Sequence, residues 1–92
     1  MQPDHAQIIA LQALSWLATE EAMLLDFLQA SGASPADLRM RAGDPDFQIA
    51  ILEFLMTNDA WIVAFCDAHA LAYTDPATAR AALPGGETPH WT

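Results

Sequence analysis

Residues Leu14–Ala30 read LSWLATEEAMLLDFLQA, and residues Leu52–Ala68 read LEFLMTNDAWIVAFCDA. The two stretches align without a gap at an offset of 38 residues. Leu14 matches Leu52, Leu17 matches Leu55, Thr19 matches Thr57, Ala22 matches Ala60, Phe27 matches Phe65 and Ala30 matches Ala68. Trp16 faces Phe54, Leu24 faces Ile62 and Leu25 faces Val63. Each copy is an apolar run, a threonine followed by acidic or amide residues, and a second run with apolar residues at helical spacing. Threonine, asparagine and aspartate favour helix N-termini because their side chains satisfy orphan backbone N–H groups. Each stretch therefore reads as two helices with a break between them.

Outward from this repeat, the same grammar continues. The first helix is expected from Pro3 or Asp4 to Ala18, apolar on almost every face except a strip at Gln12 and Ser15. A helix apolar nearly all round belongs in the centre of a fold. The second helix is expected to start behind Thr19 as N-cap and run to Ser31, with Met23, Leu24, Phe27 and Leu28 inward and Gly32 as a left-handed cap. Ser34-Pro35-Ala36-Asp37, Asp44-Pro45-Asp46 and Asp75-Pro76 are three cap-then-proline helix starts. They open a short third helix ending near Arg41 or Ala42, a fourth from Pro45 to Met56, and a sixth from Pro76 to Leu83. The fifth helix starts at Thr57 or Asn58 and runs to Ala70. Its Trp61, Ile62, Phe65 and Cys66 match Met23, Leu24, Phe27 and Leu28. The expectation is one all-α domain over residues 1–92. It is a compact bundle of six helices in two similar halves, about 4–42 and 44–83, with a tail from 84 to 92. The first and fourth helices should pack centrally, the second and fifth should flank them, and the third and sixth should cover the ends.

Composition narrows the function classes. The hydrophobic share is 53% and the charged share 16%, below the roughly 25% charge of an average globular chain. That surplus of apolar residues points to a protein partner or a homodimer. The net charge is −9, from twelve acids against three arginines and no lysine. Phosphate backbones and anionic membranes recruit clustered Lys and Arg, so nucleic acid and membrane are not expected partners. Most acids sit at helix starts, where they satisfy orphan N–H groups and the positive end of the helix dipole. An acidic mimic of nucleic acid is a minor alternative. The longest uncharged stretch, Ala6–Thr19, contains Gln7, Gln12 and Ser15 and falls short of the ~20 apolar residues a span requires. The MQPDH start has no basic region, and Cys66 has no second cysteine to pair with. A cytoplasmic protein is expected.

The segments HAQIIALQALSWL, DFLQASGASPADLR, DPDF, ILEFL, AFCDA and ARAALPGG, closed by HW, follow in order along the chain. This pattern resembles a family of small, mainly alphaproteobacterial proteins known only as domain of unknown function 3572. The resemblance covers nearly the whole chain and implies a stand-alone cytoplasmic helical protein of bacterial origin. It implies no activity and no functional residue.

No catalytic constellation stands out, and no cofactor is expected. Cys66 and His69 have the spacing of two metal ligands on one helix face, but a structural zinc site needs four ligands, and His5 and His90 lie at the chain ends. Cys66 aligns with Leu28, a core position, so a buried thiol is expected. Carboxylate pairs such as Glu20–Glu21 and Asp44–Asp46 sit where capping explains them. No phosphate-binding glycine loop or nucleophile elbow occurs, and Gly85-Gly86 follows a helix as a stop signal. The candidate contact residues are Arg39 and Arg41, which with Arg80 are the cations; Ala60, Ala64 and Asp67 on the fifth helix; and His90 and Trp91 in the tail. Ala60, Ala64 and Ala68 let another helix approach closely. Ala64 stands where the second helix carries Asp26, which singles out that face. The expected function is a non-enzymatic protein–protein interaction module or homodimer. The alternative is an enzyme or small-ligand binder with a pocket between the halves, at the first and fourth helices.

Overall fold

The computed structural model describes residues 1–86. It contains six helices: α1 (Pro3–Ala18), α2 (Glu21–Ser31), α3 (Pro35–Met40), α4 (Pro45–Leu55), α5 (Asp59–His69) and α6 (Asp75–Ala82). The fold is all-α, with no strand among the described residues. Helix α1 packs against α4 and α6 most extensively and also meets α2 and α5.

The centre is apolar apart from Gln48 of α4, which is buried and donates its side-chain amide to the Ala42 carbonyl at 2.8 Å. Ala6, Ile9, Ala10, Ala13 and Leu17 of α1 are fully buried, as are Ile51, Leu52 and Leu55 of α4. The three buried alanines on α1 let neighbouring helices approach it closely. Phe27 on α2 inserts between Phe47 and Phe54 of α4, edge-on to both rings at 5.7 and 5.4 Å between centroids. Trp16 on α1 and Phe65 on α5 make the corresponding edge contact at 6.0 Å. Trp16 aligns with Phe54, and Phe65 with Phe27, so this aromatic contact recurs at the 38-residue offset.

The breaks recur too. Thr19 donates its hydroxyl to the Trp16 carbonyl at 2.6 Å, and Thr57 donates to the Phe54 carbonyl at 2.7 Å. Each threonine thus closes the helix before it. Thr19 is not the N-cap of α2: that position is Glu20, whose side chain makes no capping bond. At α5 the cap is Asn58, whose Oδ1 accepts from the Ala60 and Trp61 N–H groups at 2.9 and 3.4 Å. Likewise α1 is preceded by Gln2, with Asp4 in its first turn. Two of the proline starts, at Ser34-Pro35 and Asp44-Pro45, behave as read. At the third, α6 begins one residue earlier, with Thr74 in the cap position and Asp75 accepting from the Ala72 N–H at 3.0 Å. Asp44 accepts from the Asp46 N–H at 3.0 Å, and Asp37 accepts from the Ser34 N–H at 2.9 Å.

The third and sixth helices do not occupy corresponding places. Helix α6 lies against both central helices and buries Pro76 and Ala79, with Leu83 buried just beyond it. Helix α3 buries no residue fully. Its six residues hold Leu38 as the main inward apolar group, against a deeper anchor on α6. The end-covering role expected of both helices therefore does not describe α6, which is part of the core.

Both α2 and α5 end on a left-handed residue, Gly32 (φ 74°) and Ala70 (φ 56°). These positions are again 38 apart. An L-residue pays about 1–2 kcal/mol in this conformation, partly offset by the entropy that glycine loses on folding. Ala70 is exposed, so its methyl contributes little packing. Ala70→Gly is expected to stabilise the protein by about 0.5–1 kcal/mol, read as a higher urea midpoint with an unchanged m-value.

Candidate functional site

Helices α2 and α5 do not pack extensively on one another. Between them runs an open groove of about 530 Å³ lined by Trp16, Glu20, Ala22, Met23, Asp26, Ala60, Trp61 and Ala64. The register explains the lining. Ala22, Met23 and Asp26 of α2 align with Ala60, Trp61 and Ala64 of α5, so the same three helical positions face the groove from both sides. Trp16, near the end of α1, supplies the floor where α1 turns into α2. Trp16, Met23 and Trp61 are each half-buried: one side of each packs on the core and the other meets the groove. Trp61 is also held against Phe54 at 5.2 Å.

The two walls differ chemically. The α2 wall carries Asp26 and, at its start, Glu20, both exposed. The α5 wall is small and neutral at Ala60 and Ala64, which are also exposed. An apolar floor, one anionic wall and one flat wall make a surface suited to a side chain or helix with an apolar face. Among the described residues no hydroxyl, thiol or imidazole side chain lines this groove.

The remaining predicted contact residues are dispersed. Asp67 lies on α5 away from the groove and accepts a hydrogen bond from the Tyr73 hydroxyl at 2.8 Å. Arg41 stands 3.8 Å from the Asp44 carboxylate and over the Phe47 ring at 5.0 Å. Arg80 donates from Nε and Nη2 to Glu53 Oε1, at 3.2 and 3.0 Å, tying α6 to α4. Arg39, exposed on α3, makes no ion pair among the described residues. His90 and Trp91 lie outside the described residues. Of the groove residues, sequence reading named Ala60 and Ala64 as contacts and missed Trp16, Glu20, Ala22, Met23, Asp26 and Trp61. Periodicity assigns the two tryptophans and Met23 to the core face, and only the gap between α2 and α5 exposes their far sides. The signal available was the register itself: three aligned pairs at one helical angle.

The alternative pocket between α1 and α4 meets a filled interface, since the facing residues there are fully buried apolar groups. A smaller recess of about 280 Å³ lies instead between α2 and α4, lined by Phe27, Ala30, Ser31, Ala50, Glu53, Phe54 and Thr57. Its carboxylate, Glu53, is engaged by Arg80. Cys66 is buried and donates its thiol to the Ala72 carbonyl at 3.4 Å. His69 packs its ring on Phe65 at 4.8 Å. Among the described residues no third ligand joins this pair.

Burial pushes the Cys66 thiol above its ordinary value, and the nearby Asp75 and Asp67 carboxylates push in the same direction. The thiol of the unfolded chain therefore ionises first as pH rises. The stabilisation tied to the protonated thiol is complete below the ordinary thiol value of about 8.5 and is lost progressively above it. The Tyr73 hydroxyl is also raised, chiefly by its hydrogen bond to Asp67, so both groups act in the alkaline range. In a Tyr73→Phe background, Cys66→Ala is expected to flatten the fall of the urea midpoint with rising alkaline pH. An unchanged slope would show that the thiol plays no part.

Among the described residues no single helix is long and apolar enough to cross a membrane. Helices α4 and α5 reach the length and composition only as a pair, and they turn by 111° between them. A family model described as "Protein of unknown function (DUF3572)" matches residues 3–86. No curated protein and no solved structure matches the chain.

Proposed function

The chain belongs to the family of unknown function DUF3572, and we propose from its own surface that it is a non-enzymatic protein-interaction module docking through the α2–α5 groove. The observation that carries this reading is the half-exposure of Trp16, Met23 and Trp61 along one groove. Large aromatic and methionine side chains at an open, concave surface are the usual anchors of protein interfaces. The filled α1–α4 interface supports a binding surface over an internal ligand pocket. The single buried cysteine fits a reducing compartment, so the proposed place of action is the cytoplasm.

The test uses Ala64→Trp, which fills the groove from an exposed position. Its melting temperature should stay near that of the wild type. Affinity capture from the native host, quantified by mass spectrometry for both proteins, is expected to recover a partner with the wild type that Ala64→Trp loses. Equal capture by the two proteins would remove the groove from consideration.

A further inference from the structure

We infer that the occupant of the α2–α5 groove is a cationic amphipathic helix of another protein. The inference rests on the docking reading above and adds the chemistry of the partner. Asp26 and Glu20 line the groove, are exposed, and meet no cation among the described residues: Arg80 is paired with Glu53, Arg41 with Asp44, and Arg39 lies on α3. The groove therefore presents negative charge that no cation among the described residues neutralises. Glu21 and Asp59, in the first turns of α2 and α5, add to the same field, within a chain of net charge −9. A partner bearing Lys or Arg gains both steering and complementarity from that field.

The floor points the same way. Two half-exposed indoles beside carboxylates suit the long stems and cationic heads of Lys and Arg. The stems lie along apolar surface, and the guanidinium or ammonium groups interact with ring faces. The occupant is helical because the described residues offer no sheet edge. An extended peptide would leave its backbone N–H and C=O groups without partners against side-chain walls, whereas a helix satisfies its own. The chemical difference between the walls orients it, with cations toward Asp26 and the close-packed face toward Ala60 and Ala64. A second copy of the chain is disfavoured. It would bring another net charge of −9 to the contact and, in a two-fold arrangement across the groove, would set Asp26 near its own mate.

The experiment is a display library of amphipathic helices of five turns, about 18 residues each. The apolar stripe is fixed, and the flanking positions vary among Lys, Arg, Glu and Gln. Selection on the wild-type protein is expected to enrich Lys and Arg at the flanks. A chosen clone should bind about tenfold more weakly to Asp26→Lys, should weaken as salt rises, and should lose binding to Ala64→Trp. Enrichment of acidic or neutral flanks, with binding still lost in Ala64→Trp, would overturn the cationic class and leave the docking reading intact. A dimer mass by light scattering that Ala64→Trp reduces to a monomer would do the same in favour of a second copy. Absence of any enriched clone overturns the cationic-helix inference, and if native-host capture is also unaffected by Ala64→Trp the docking reading falls with it.

Discussion

Phe27→Ala is expected to cost about 3–5 kcal/mol, a large share of the roughly 5–15 kcal/mol that holds a domain of this kind together. Phe27 is 1% exposed and stands between the Phe47 and Phe54 rings, edge-on to both. Truncation removes the transfer free energy of the ring, opens a cavity in the α2–α4 interface, and deletes two aromatic contacts worth about 0.5–1.5 kcal/mol each. The three effects overlap and do not add. For a chain of this length each kcal/mol moves the melting temperature by about 4–8 °C, so thermal unfolding followed by circular dichroism should show a drop of tens of degrees or no native baseline. Phe27→Leu keeps most of the volume and should lose about 1.5 kcal/mol or less. Equal losses in the two variants would mean that the ring contacts, not the filled volume, carry the effect.

Gly86→Ala is expected to be the second severe change, at about 3 kcal/mol or more. A Cβ at Gly86 would fall onto the Arg80 carbonyl oxygen, with the Arg80 carbonyl carbon at 3.0 Å and the Leu83 oxygen at 3.1 Å. These are backbone atoms of the last turn of α6 and of its C-cap, Leu83, and cannot rotate away. Relief requires opening the turn in which the Gly86 N–H donates to the Leu83 carbonyl at 2.9 Å. That turn keeps Leu83 fully buried against the core, and α6 is packed on both α1 and α4. The loss should therefore spread to global stability and appear as a lower urea midpoint. Gly43→Ala is the control: nothing lies within 4 Å of its added Cβ, and its effect should stay within about 0.5 kcal/mol. A mild Gly86→Ala phenotype would show that the end of α6 can detach without unfolding the domain.

Much of the local structure was readable because its causes are local. The three proline starts, the left-handed cap at Gly32 and the breaks after Ala18 and Leu55 depend on residues within a turn of one another. The reading went astray where two local roles compete for one residue. Thr19 can cap the helix that follows or close the one before, and its hydroxyl takes the Trp16 carbonyl. Gly85-Gly86 reads as a stop signal. That Gly86 also has to be glycine because a carbonyl occupies its Cβ position is invisible without the path of the chain.

The sequence by itself determined the helices and their order, because hydrophobic period and capping chemistry act over neighbours along the chain. It left α1 apolar nearly all round, and only the fold turned Ile8 and Leu11 outward. The sequence also carried the register that places Ala22, Met23 and Asp26 opposite Ala60, Trp61 and Ala64. Tertiary structure alone decided that α6 enters the core while α3 stays outside, since similar short helices differ only in what surface is left for them to cover. It alone decided that Trp16, Met23 and Trp61 are half-covered. Periodicity says which way a side chain points, but the width of the gap between two helices is set by everything packed beneath them.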